Sequence, residues 1–94
     1  MTHAVRLSEL GERPTRAMKA AGSVATELGL RVIAYEWAPF IGNLVRVSDG
    51  KNHYHIDRWG RVSDTDVKGT VGSAYRDTGS YTHGVRHVAR RTDR

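Results

Sequence analysis

Apolar and polar positions change their spacing along this 94-residue chain, and each change marks an element. Residues 1–13 alternate loosely through Val5, Leu7 and Leu10 until Gly11 and the Arg13–Pro14 step, where the residue ahead of proline is pushed out of helical space. This stretch reads as an extended arm or a short strand. From Pro14 the spacing changes: Ala17, Ala21, Val24 and Leu28 recur every three to four residues, and Met18 and Ala25 widen the stripe. Proline is tolerated in a first helical turn and Gly29 stands where a left-handed cap is wanted, so one amphipathic helix is expected here.

Residues 30–37 are rich in β-branched and aromatic side chains at both parities, the pattern of a strand covered on both faces. Pro39 and Gly42-Asn43 break the run, and a second strand is expected at 44–48. Asp49-Gly50-Lys51-Asn52 has the composition of a hairpin connection. A four-residue loop sets Val47 opposite Tyr54 and Val45 opposite Ile56, so these four share one buried face, Tyr54 included. Arg46, Ser48, His53, His55 and Asp57 then fall on the other face. A turn at Arg58-Trp59-Gly60, with glycine supplying the left-handed residue, returns the chain as a third strand at 61–63.

Beyond Ser63, Gly69, Gly72, Gly79 and Gly84 interrupt any period, and a short helix at 71–76 is the most that the pattern supports. Residues 85–94 carry four arginines and few apolar positions, which reads as a short basic helix or a frayed tail outside the main domain of residues 1–84. The fold expected is α+β: one amphipathic helix on a small antiparallel meander of three or four strands, with a basic C-terminal tail. A chain of this length builds one modest core.

Charge narrows the choice of partners. Fifteen basic against ten acidic side chains give a net charge of +5 and a pI of about 10.1, a balance that favours polyanions. Twelve of the fifteen are arginine, whose planar fork matches phosphate, although an arginine-rich composition also follows from a GC-rich genome. The absence of cysteine excludes disulfides, thiolate zinc sites and cysteine nucleophiles. The apolar runs fall far short of the ~20 residues that span a bilayer, and the start of the chain lacks a signal peptide's apolar region. A cytoplasmic protein with no membrane contact is expected.

Three constellations could carry chemistry. Arg46, His53, His55 and Asp57 on the hairpin's polar face are the minimal parts of a metal-independent ribonuclease-type toxin, with imidazoles as acid and base and arginine on the phosphate. Exposed strands carry polar residues by default, however, and both histidines are expected to face water without a third group to set their tautomers. His53 and His55 with His83 and His87 could form a metal site, but histidine-only sites are unusual and Gly84 weakens the helix the second pair requires. No metal and no cofactor is therefore expected. The third constellation is a nucleic-acid surface: Arg46, Lys51, Arg58, Trp59 and Arg61 on the hairpin, and Arg86, Arg90, Arg91 and Arg94 in the tail. Trp59 either folds back over the sheet or contacts a partner.

No P-loop, dinucleotide-binding fingerprint, nucleophile elbow, zinc-finger spacing or helix-turn-helix is present, which removes ATPases, dehydrogenases and α/β-hydrolases. The function expected is a small non-enzymatic accessory protein, of the kind phages and plasmids encode, that binds DNA or RNA through phosphates. The alternatives are an accessory or inhibitory factor with an acidic protein partner, and the ribonuclease. An exposed strand edge could also pair two chains into a homodimer.

Overall fold

A computed structural model describes residues 4–63 and 81–92. Five strands follow one another across a single antiparallel sheet: β1 (Val5–Arg6), β2 (Arg31–Ala38), β3 (Gly42–Ser48), β4 (His53–Asp57) and β5 (Val62–Ser63). Two helices, α1 (Arg16–Glu27) and α2 (Tyr81–Thr92), pack on each other and against the sheet, α1 on β2 and β3, α2 on β3 and β4. The architecture is α+β with helix on sheet. Its extra strand comes from the N-terminal arm, where Val5 pairs with Trp37 and Arg6 with Glu36, giving β2 a partner on its outer edge. A 3-10 turn at Leu7–Leu10 then buries Leu7.

The cap of α1 is built by the residues beside Pro14. Thr15 accepts a hydrogen bond from the Met18 backbone at 3.2 Å, and the Met18 sulfur accepts one from the Thr15 backbone at 3.5 Å. At the other end the Gly29 N–H donates to Thr26 and the Leu30 N–H to Ala25, with Gly29 left-handed at φ +86°, which is a Schellman closure. The expected apolar stripe is rotated. Met18, Ala21 and Ala25 are fully buried, whereas Ala17 and Leu28 face water. Gly22 explains the rotation: a Cβ there would overlap the Tyr35 hydroxyl, so the helix lies closest to the sheet through that face.

The hairpin has the anticipated register, Val47 opposite Tyr54 and Val45 opposite Ile56, and all four side chains are buried against the helices. Asp49 accepts from the Lys51 and Asn52 backbones at 2.8 Å each, which closes the four-residue loop. Gly60 is left-handed at φ +83° and donates to the Asp57 carbonyl, as the second turn requires.

The C-terminal segment departs most from expectation. Residues 81–92 form a helix, one of the two forms expected for the basic segment, but it begins ahead of residue 85 and packs on the rest of the fold. Val85 and Val88 are fully buried and Tyr81 nearly so, joining the same core as Met18, Val45 and Ile56. Gly84 does not break this helix; it permits the approach of α2 to the sheet, because a Cβ there would overlap Ile56 and crowd the Gly60 carbonyl. The short helix expected at 71–76, and Arg94, lie outside the described residues. Among the described residues no helix is long and apolar enough to cross a membrane.

Candidate nucleic-acid interface

The basic residues grouped by the sequence reading separate into three places. Alternation along β3 and β4 decides the first division, because Val45, Val47, Tyr54 and Ile56 face the helices while Arg46, His53 and His55 face away.

On that far face lies a chain of charged and polar side chains. Glu36 of β2 receives His55 Nε2 on one carboxylate oxygen at 2.9 Å and an Arg46 N–H on the other at 3.3 Å. Arg46 also donates from Nε to His53 Nδ1 at 3.2 Å. Glu36 is 3% exposed and His55 5%, while Arg46 is 34% exposed. Burial pushes the Glu36 carboxyl up, but the hydrogen bonds and charges of His55 and Arg46 outweigh it and hold its pKa below the ordinary value.

This geometry corrects the expectation that both histidines face water without a third group. His55 is buried and hydrogen-bonded to Glu36, whereas His53 is exposed. His53 accepts an Arg46 N–H on Nδ1. Asp57 belongs to another structure: it is fully buried and accepts from the Trp59 backbone and from the Arg61 backbone and side chain, each at 2.9 Å, holding the β4–β5 turn. Among the described residues no group of three or more His, Cys, Asp or Glu is placed to hold a metal ion, so the four-histidine site does not assemble.

The second place is that turn. The Arg58 and Arg61 guanidinium groups sit 4.2 and 4.6 Å from the Trp59 ring centroid. Trp59 is half-buried and engaged by its own neighbours, and Arg61 is further tied to Asp57. This cluster caps the end of β4 opposite the Lys51 loop.

The third place is a groove of about 790 Å³ between the β3–β4 loop, the end of α1 and the last two turns of α2. Lys51, Arg86, Arg90 and Arg91 surround it, and Leu28, Leu30, Tyr54 and Ala89 supply its apolar lining. Its one carboxylate among the described residues, Asp49, is occupied by the Asn52 and Lys51 backbone amides, which hold its pKa below the usual range, and by the Tyr54 hydroxyl at 3.2 Å. Arg91 lies over the Tyr54 ring, 5.6 Å from its centroid. Arg90 and Arg91 occupy the last turn of α2, where the helix dipole favours cations. Burial first, then Arg91, Arg90 and His83, push the His87 imidazole below its ordinary pKa.

Of the expected nucleic-acid contacts, Lys51, Arg86, Arg90 and Arg91 are thus brought together. Arg46, Arg58, Trp59 and Arg61 are not part of that groove. The chain itself has no guide from relatives: no protein-family model, no curated protein and no solved structure matches it. Sequence reasoning missed Glu36 and the Leu28–Leu30 corner. A lone acid in an otherwise apolar strand was a signal for the first, since a charge there needs a partner. Nothing in the sequence joins residues 28–30 to residue 90.

Proposed function

We propose that this protein is a non-enzymatic nucleic-acid-binding factor that holds the phosphate backbone in the groove between the β3–β4 loop and α2. The observation that carries this reading is the convergence of Lys51, Arg86, Arg90 and Arg91 on one concavity where, among the described residues, the one carboxylate is spent on closing its own loop. Four cations that no carboxylate among the described residues pairs are an unfavourable arrangement in the free protein, and phosphates relieve it while releasing condensed counterions.

The test is binding to labelled oligonucleotides across a salt series. Affinity is expected to fall linearly in log salt, with a slope of about −0.7 to −0.9 per phosphate contact. Replacing Arg86, Arg90 and Arg91 together by alanine is expected to weaken binding at least about a hundredfold and to flatten the slope by about two to three. The absence of any complex at low salt would sink the proposal and leave an acidic protein surface as the partner these cations would attract.

A further inference from the structure

The groove is not only basic. Leu28, at the C-cap of α1, is 44% exposed in the middle of a cationic surface, and the Leu30, Tyr54 and Ala89 side chains continue the apolar strip beneath it. Water gains nothing from this placement, and a purely phosphate-reading surface has no use for it. A ligand that is anionic along one edge and apolar along the other would satisfy both parts at once.

Resting on the proposed function, we infer that the groove is built for single-stranded nucleic acid, with a base laid against Leu28 and the flanking phosphates on Arg86, Arg90, Arg91 and Lys51. In a duplex the base faces are stacked inside the helix, and only a convex phosphate ridge and groove edges are offered to a protein. A concavity lined by Leu28, Leu30 and Tyr54 cannot receive that ridge to its floor. In a single strand the bases splay out, and their faces pack on apolar or aromatic side chains beside a basic track. Asn52, at the rim of the same groove, adds an amide able to both donate to and accept from a base edge.

Electrostatics makes the inference testable, because duplex DNA carries the higher charge density. A site that reads charge alone therefore prefers duplex at equal salt. Preference for the single strand reports the base contact.

The experiment measures fluorescence anisotropy of labelled (dT)12, a U12 RNA and a mixed-sequence 12-base-pair duplex, with the full chain and with Leu28→Ser and Leu28→Phe. Leu28 is exposed and outside the core cluster, so both variants are expected to keep the parent circular dichroism and melting temperature. The single strands are expected to bind about tenfold tighter than the duplex. Leu28→Ser should remove most of that preference through a larger loss on the single strands than on the duplex, and Leu28→Phe should widen it. Duplex binding as tight as single-strand binding, or equal losses on both in Leu28→Ser, overturns the inference while the phosphate-binding function stands. Competition by free UMP as effective as by U12 also overturns it, marking a mononucleotide pocket instead. Binding to none of the probes at low salt removes the proposed function itself.

Discussion

The two faces of the β3–β4 hairpin treat positive charge in opposite ways. Arg46, on the face turned away from the helices, is engaged within the molecule: Glu36 and His53 each accept one of its N–H groups, and Glu36 and His55 are buried beside it. Lys51, at the hairpin's tip, joins Arg86, Arg90 and Arg91 around an open groove whose one carboxylate among the described residues is already committed. Arginine content alone is thus a poor guide to a binding surface. What matters is whether an acid lies across the ladder, and on this sheet that acid is Glu36.

The largest expected effect breaks the buried side of the comparison. Glu36→Gln keeps the volume but removes the charge that partners His55 and Arg46. Breaking a buried ion pair costs ~3–5 kcal/mol, and the partial exposure of Arg46 puts this case near the lower end. A melting temperature lower by more than about 10 °C is expected, with oligonucleotide affinity measured below the melt changed by less than about twofold. The pH dependence has a definite sign. Because the folded-state pKa of Glu36 lies below the ordinary value of 4.5, its contribution is complete above that pH and is lost as pH falls through the lower folded value. The parent is therefore expected to lose stability in that acidic window, and Glu36→Gln to lose less. A large drop in binding by this variant with folding intact would show that the two faces are not separate.

A smaller effect concerns how α2 holds the groove in place. Alanine is about 1 kcal/mol better than glycine inside a helix, yet Gly84→Ala is expected to destabilise, because the new Cβ overlaps Ile56 and crowds the Gly60 carbonyl. Overpacking of this kind costs ~1–3 kcal/mol, so a net loss of about 1 kcal/mol should appear in chemical denaturation. Stabilisation would mean that α2 does not depend on this close approach, and that the groove's rim is less tightly located than described.

The smallest effect sharpens the comparison from the groove side. Arg91 and Arg90, after burial, hold the His87 pKa down. Neutralising them should raise it, so a proton NMR titration of His87 is expected to move upward both in Arg91→Ala and on saturation with (dT)12. An unchanged His87 on saturation would place the nucleic acid elsewhere.

Much of the fold was legible along the chain because it rests on local chemistry. The Gly29 cap, the four-residue Asp49 loop with its register and the left-handed Gly60 turn are settled by which residues tolerate a backbone conformation and by a side-chain period of two. The candidate site was legible only in part. Lys51, Arg86, Arg90 and Arg91 could be named as basic, but not as one group. The burial of His55, the partnership of Glu36 with Arg46 and the docking of Val85 and Val88 each depend on residues distant in sequence being packed against one another. The two valines, three residues apart in an arginine-rich segment, carry too weak a periodicity to announce a core helix. It is the apolar surface already assembled by α1 and the sheet that makes burying them favourable. Composition set the charge of this protein; tertiary packing decided which of those charges face one another and which line an open groove.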